Sequence, residues 1–408
     1  MIGLSNMLPP KYSLVDLFAG PGGLTLGFKE SSFFQPIVGV ESDPVAAETY
    51  QRNLATPVIL KKVEDVSPYE IKKLASEKGY DSIDIVVGGP PCRPFTTANT
   101  GGTRWKMIKE REKYSNHPNW ASFYEIVCAL KPLVVVAENV MGFQNHPDVF
   151  FAFVSNLLSS GYIADSHELD ASLFGVPQKR RRIFIVGIRG LNIDKSLLFP
   201  KPKGTPKLVK VKEAIGDLPS LSNEKPNCEK PTYEPGHPTS FQSLMRDGQT
   251  KVQDHTVHVV HPVMAKRFEY IPQGYNLLKA LRERRIPANV MKKTYFRGKR
   301  IVAFSEKTLK NMHSNIYRRL EWNKPSCTIT HVRKTVLIHP LEHRLLSVRE
   351  AARLQSFPDW YRFSGSINQQ YQQIADAVPP LLAKELARHL ARIINQHREP
   401  IPIRQSYG

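Results

Sequence analysis

Tyr12-Ser13-Leu14-Val15-Asp16-Leu17-Phe18-Ala19-Gly20-Pro21-Gly22-Gly23 is the stretch whose reading decides the fold. An apolar run of strand length (12–18) stops at a glycine-rich turn, and residues 23–30 have helical texture. Glycines where a first strand turns into a first helix let the backbone approach a bound nucleotide closely. Outward from there, a second strand is expected over 37–41. Asp43-Pro44 follows it, an N-cap with proline at the first helical position, opening a helix through Leu54. Further strands are expected over 83–88, 133–138 and 182–187. Strands separated by helical stretches predict an α/β fold, a parallel sheet with helices on both faces.

From Pro200 the texture changes. Eight prolines between Pro200 and Pro238 interrupt any long regular element, so residues 200–342 read as a second, irregular and basic domain. Regularity returns at 347–355. A last helix is expected after Pro379-Pro380, with Leu382, Leu386, Leu390 and Ile393 at helical spacing. The expected division is therefore 1–199, 200–342 and a returning segment, 343–408.

Lysine and arginine number 57 against 37 aspartates and glutamates, a net charge of +20. A field of that sign favours polyanions. Lys279, Arg282, Arg284, Arg285, Lys292, Lys293, Arg297, Lys299 and Arg300 form a run opposed only by Glu283. Taken alone, such a run is equally a solvated face; the whole-chain excess tips the reading towards nucleic acid. No apolar run reaches the roughly 18 residues of a membrane span, and the N-terminal residues carry no secretory signal pattern. Cys92, Cys128, Cys228 and Cys327 are scattered without zinc or redox spacing, which fits free thiols in a reducing cytosol. The spacing of His255, His258 and His261 suits neither a strand face nor a helix face, so no metal is expected.

Glu41 ends the second strand about 20 residues after the glycine turn, where an acid can accept hydrogen bonds from ribose hydroxyls. That pair alone fits nicotinamide, flavin and S-adenosylmethionine enzymes alike, and a tight turn with a surface glutamate equally. Asp84-Ile85-Val86-Val87-Gly88-Gly89-Pro90-Pro91-Cys92-Arg93-Pro94-Phe95 is more informative. A buried strand runs into two glycines, two stiffening prolines and a cysteine at the carboxyl edge of the sheet, where open α/β folds bind ligands. A lone cysteine is usually a packing residue. A packing thiol needs no such scaffold, whereas a reactive thiolate is favoured by neighbouring positive charge such as Arg93.

Gly-Gly-Pro-Pro-Cys at 88–92, with Asp-Leu-Phe-Ala-Gly-x-Gly-Gly upstream, resembles the DNA (cytosine-5)-methyltransferase family. Further blocks follow in order: Glu138-Asn139-Val140, then Gln178-Lys179-Arg180-Arg181-Arg182 as Gln-x-Arg-x-Arg. Arg344-Leu345 with Arg349 to Pro358 comes next, and then Gln373-Ile374-Ala375-Asp376-Ala377-Val378-Pro379-Pro380. Three departures stand out. Ala375-Asp376 replaces the usual Gly-Asn, Arg93 often is Gln, and the short Asp-x-Arg element expected near Asn119-Trp120-Ala121-Ser122 is missing.

The resemblance implies a Rossmann-like S-adenosylmethionine-dependent methyltransferase sheet, with 200–342 as target-recognition domain and 343–408 completing the catalytic domain. Cytosine C5 is too weak a carbon nucleophile to take a methyl group unaided. A thiolate added at C6 makes an enamine of the ring, the role implied for Cys92. Glu138, protonated, would donate towards N3, and Arg180 and Arg182 would neutralise charge at O2. Ordinary alternatives are an arginine-paired carboxylate for Glu138 and phosphate binding for the arginines. For the methyl donor the implied contacts are Phe18, Ala19, Gly20, Gly22, Gly23, Glu41 with Ser42, Asp65, Pro90, Asp376 and Ala377. The substrate would be double-stranded DNA with the base flipped out, under a loop over 96–104 that closes on it. A bacterial cytosolic monomer paired with a restriction endonuclease completes the picture. Competing readings are a cytosine-5 RNA methyltransferase, a non-catalytic nucleic-acid-binding protein and a nicotinamide oxidoreductase.

Overall fold

The computed structural model describes residues 11–91, 118–202, 204–229, 231–287, 290, 295–296, 299–300 and 317–397. Cys92 and the 96–104 loop therefore lie outside the described residues, as does much of the basic run. Seven strands form one sheet: β1 (Tyr12–Leu17), β2 (Phe34–Glu41), β3 (Val58–Leu60), β4 (Ile85–Gly88), β5 (Val134–Val140), β6 (Tyr162–Asp170) and β7 (Arg181–Arg189). Their order is β3-β2-β1-β4-β5-β7-β6. The strands from β3 to β5 are parallel, but β7 runs antiparallel to both β5 and β6. The all-parallel expectation fails there for a simple reason. Only a short turn and the loop to residue 180 separate β6 from β7, too little for the helical crossover that a parallel pair needs.

Local chemistry accounts for the helices. In α1 (Gly23–Glu30), Gly27 faces the chain's last helix so closely that a Cβ there would lie 2.4 Å from the Ala383 Cβ and from the Pro380 carbonyl oxygen. The α2 helix (Pro44–Leu54) starts as its sequence suggests: the Asp43 carboxylate accepts from the Val45 and Ala46 amides. Helices α3 (Pro68–Glu77), α4 (Pro118–Leu130) and α5 (Pro147–Ser159) cover one face of the sheet, over a core that includes Val38, Val86, Val135, Phe123 and Phe153. Trp120 stacks on Phe143 there at 4.3 Å between ring centroids. The other face is covered by α1 and by the last helix, Pro380–His397, through Leu382, Leu386 and Leu390. No helix among the described residues is long and apolar enough to cross a membrane.

Between residues 200 and 342 the elements are short: helices Val211–Ile215, Ser240–Arg246, Pro262–Phe268, Leu277–Arg282 and Val332–Thr335, and two-residue strands. A separate buried cluster lies beneath them. It runs on past residue 342 into α6 (Val348–Leu354) and α7 (Ile367–Asp376) and reaches Ala19 and Tyr50 beside the glycine turn. The Pro380–His397 helix, α8, then returns to the sheet.

Candidate active site

At the carboxyl edge of β1, β2, β4 and β5 lies an open cavity of about 590 Å³. Phe18, Ala19, Gly20, Gly23, Glu41 and Ser42 line one end, and Pro90, Glu138, Arg180 and Arg182 the other. The α7 helix and its exit complete the wall with Gln369, Gln372, Gln373, Asp376 and Ala377. Residues more than 350 positions apart thus share one space.

The glycine turn is fitted to that space. Gly20 has φ +53° and open space where a Cβ would sit, and its amide donates to Glu41 Oε2 at 2.8 Å. Glu41 Oε1 accepts from the Ser42 and Asp43 amides at 2.7 and 2.8 Å. One carboxylate therefore pins the turn to the end of β2; three of its four or so acceptor positions are taken by amides, which leaves one on Oε2 in a residue that lines the cavity. At Gly23 a Cβ would fall 2.3 Å from the Val378 carbonyl oxygen, so only glycine lets the last block close against the turn. Gly22 does not line the cavity. A Cβ on it would meet Leu54, Tyr50 and the Tyr361 hydroxyl, so its role is packing beneath the turn. Asp65 is also absent from the wall. It sits exposed in a 3-10 turn, and Lys61, Lys62 and Val63 take the lining position instead.

At the catalytic end, Glu138 stands near the end of β5, and Arg182 on the neighbouring β7 pairs with it at 3.1 Å. Burial pushes the Glu138 carboxyl above the usual carboxylate range; the Arg182 and Arg180 guanidiniums pull it back, and Asp376 adds to the rise. Gly89 leaves room for this carboxylate: its absent Cβ would lie 3.4 Å from Glu138 Oε2. The Asn139 amide donates to the Pro90 carbonyl oxygen at 3.0 Å, tying the Pro-Pro turn that precedes Cys92 to the end of β5.

The two arginines separate in role. Arg182 is partly exposed and turned to Glu138, whereas Arg180 is buried and donates to the carbonyl oxygens of Ala375 and Ala377, both at 3.0 Å. Gln178 is buried too, donating to the Leu354 carbonyl oxygen and the Gln355 side chain and accepting from the Ile329 amide. Two of the three repeated polar positions thus stitch separate segments together. His255 likewise bonds to Ser347 and the Pro219 carbonyl. Among the described residues no His, Cys, Asp and Glu group is arranged to hold a metal.

Sequence reasoning passed over Asp16. Buried in the cavity floor, it accepts a hydrogen bond from Thr25, itself bonded to the Tyr50 hydroxyl at 3.0 Å. Burial pushes its carboxyl up to about 7, with the Thr25 bond opposing and the Glu41 charge adding. The raised value fixes the sign of a stability effect. The folded chain keeps this proton while the unfolded chain releases it near the ordinary value of 3.8, so the contribution is fully present below that pH and is lost as pH climbs towards 7. Asp16→Asn, compared with wild type by denaturant unfolding, is expected to gain relative stability progressively across that window and level off above it. A difference that stays flat from pH 4 to 7.5 would show that Asp16 ionises normally.

The model of the C-5 cytosine-specific DNA methylase family matches residues 12–392. The chain belongs to this family. The methylase is 30% identical to the type II methyltransferase M.AgeI of Thalassovita gelatinovora over 91% of its own length and 97% of that protein. It is equally 30% identical to the type II methyltransferase M.DdeI of Desulfomicrobium norvegicum, over 93% and 88%. In fold it is similar to an E. coli prophage-encoded protein described as a DNA modification methyltransferase, with a TM-score of 0.69 at 23% identity and coverage of 94% and 100%. A variant of Spodoptera frugiperda DNMT2 superposes at 0.53 with 17% identity, covering 93% of this chain and 99% of that one.

Proposed function

We propose that the methylase modifies C5 of a flipped-out cytosine in a specific duplex DNA sequence, using S-adenosylmethionine, and protects that sequence from a partner restriction endonuclease. The observation that carries the reading is one cavity joining the Gly20–Glu41 turn to the Glu138–Arg182 pair. The donor set suits this methyl donor. An open glycine turn admits its amino-acid portion, Glu41 Oε2 keeps an acceptor position for a ribose hydroxyl, and Phe18 offers a ring for stacking. When bound, S-adenosylmethionine supplies an electrophilic methyl group.

The residues of the chain would do the rest. The Cys92 thiolate adds to C6 of the base, and the electron pair moves towards N3 and C5. Glu138, whose carboxyl burial pushes towards the protonated form, would give a hydrogen bond or a proton to N3. Arg182 stabilises charge at O2 and holds Glu138 in place. Arg180 acts from below, holding the Asp376 segment against the cavity. After C5 is alkylated, a water molecule would take the C5 proton, its electron pair would re-form the C5–C6 double bond and expel the Cys92 thiolate, and any proton on N3 would return to Glu138. Residues 200–342 would read the DNA, and 1–199 with 343–408 would form the catalytic unit. A stacked base cannot reach both thiol and donor, so the target must leave the helix.

The test is transfer of label from S-adenosylmethionine to mixed-sequence duplex DNA, with tRNA as the competing acceptor. Label in 5-methylcytosine of duplex DNA supports the reading. Label in tRNA alone would replace it with the RNA-modifying one, and label in neither would favour a non-catalytic binding protein.

A further inference from the structure

Tyr361 lies in the loop that follows α6, 340 positions from Pro21, yet its hydroxyl donates to the Pro21 carbonyl oxygen in the middle of the glycine turn. The ring is fully buried, with centroids 4.9 Å from the Phe357 ring and 5.5 Å from the Phe363 ring. Its backbone is held from the other side, because Arg349 donates to the Tyr361 carbonyl oxygen at 2.8 Å and to the Gln253 carbonyl oxygen at 2.9 Å. The next residues clamp the same loop to α2. The Asn53 side chain donates to the Arg362 carbonyl oxygen and accepts from the Arg362 amide, both at 2.8 Å, and the Ser364 amide donates to the Thr49 hydroxyl at 2.9 Å.

The turn needs outside support. Phe18, Gly20 and Gly22 have φ of +58°, +53° and +91°, and a side chain such as that of Phe18 stays in this region only when its surroundings hold it there. Pro21 has no amide hydrogen, so a partner beneath the turn can grip it only through its carbonyl. The Gly22 amide closes onto the Ala19 carbonyl oxygen at 3.0 Å, and the Pro21 carbonyl is the other end of the same peptide unit. Without a donor beneath it, a buried carbonyl gains by turning towards an open space, and Pro21 lines the cavity.

We propose that Tyr361 is a positioning residue for the methyl donor: its hydroxyl keeps the Pro21–Gly22 peptide directed into the core and so holds the turn in the shape that admits the donor. The proposal rests on the reading of this turn as the S-adenosylmethionine site. Tyr361 does not itself line the cavity, so it acts only through the turn. A turn released from it divides its time among shapes, and apparent affinity falls with the competent fraction.

The experiment compares Tyr361→Phe with Tyr162→Phe in the full-length protein. Tyr162 also buries its hydroxyl on a carbonyl, that of Pro132 at 2.8 Å, but on the edge strand β6 away from the cavity. It therefore reports what losing such a bond does to stability alone. Tyr361→Phe is expected to weaken calorimetric binding of S-adenosylmethionine about tenfold, within what one stranded buried carbonyl can cause. KM for the donor should rise by the same factor, with kcat and KM for DNA kept within about twofold. Amide exchange at Gly20 and Gly22 of the unliganded protein should quicken. Tyr162→Phe should alter none of these, whatever it does to unfolding. Donor affinity and amide exchange that stay at wild-type values in Tyr361→Phe, or that change equally in Tyr162→Phe, would overturn the proposal. Failure of the underlying reading looks different: the wild-type protein would then bind no S-adenosylmethionine, while exchange at Gly22 would still respond to Tyr361→Phe.

Discussion

Replacing Cys92 by alanine is expected to take methyl transfer to background and to leave donor binding unchanged. The thiol stands directly after Gly89-Pro90-Pro91, and this turn is anchored by the Asn139–Pro90 bond beside Glu138. Without it the cytosine ring keeps its aromatic electrons, and no residue of the wall can replace a carbon–sulfur bond. Duplex DNA carrying 5-fluorocytosine gives a sharper measurement. Fluorine at C5 cannot leave as a cation, so the thiol cannot be expelled after alkylation. The wild-type protein should form a complex that survives denaturing electrophoresis, and Cys92→Ala none. Methylation by Cys92→Ala within about tenfold of wild type would remove covalent catalysis from the account.

The second large effect concerns stability and lies away from the chemistry. Arg353→Met is expected to destabilise the protein by roughly 4 kcal/mol, because breaking a buried ion pair from one side strands the other charge. Arg353 is fully buried and serves two acids: Asp359 at 2.9 and 2.6 Å, and Asp217. Tyr233 adds a bond to Asp359 at 2.6 Å. Removing the guanidinium leaves Asp359, buried, with only the Tyr233 bond and Arg349 at 3.9 Å among the described contacts, while Asp217 keeps Arg246 at 2.8 Å. Denaturant unfolding measures the loss, and Arg353→Met combined with Asp359→Asn should recover part of it. A loss below about 1 kcal/mol would mean that water already reaches the cluster.

That cluster also shows where legibility ended. Arg349, Glu350 and Arg353 were visible within an expected helix, with Arg344 just ahead of it, but nothing nearby revealed that all four are buried. Their partners Asp217 and Asp254 lie about a hundred residues or more earlier, in the proline-broken region. Pairing over such distances has no local signature. The cofactor turn was legible because glycine and proline impose backbone shape at short range. The N-cap at Asp43 was legible for the same reason. β3, with three residues, and the edge strand β6, with its polar side chains, offered too little apolar run to be seen. Asp65 was expected at the donor only through the family resemblance, yet in its 3-10 turn it is exposed and Val63 lines the cavity instead. Asp16 looked like an ordinary strand-end acid until Thr25 and Tyr50 were seen to enclose it.

The far wall of the cavity, built from α7 and the Asp376–Val378 segment, has a bearing on when the enzyme becomes active during its own synthesis. The glycine turn leaves the ribosome early, but it stays half a container until residues 369–378 have been translated and have closed on Gly23. Contacts of that sequence separation form late and slowly. A ribosome that stalls, or a message cut short, therefore releases a chain that has the glycine turn and β4 but lacks the wall that closes the cavity. For a protein whose product is a permanent mark on DNA, this arrangement ties catalytic competence to a finished chain.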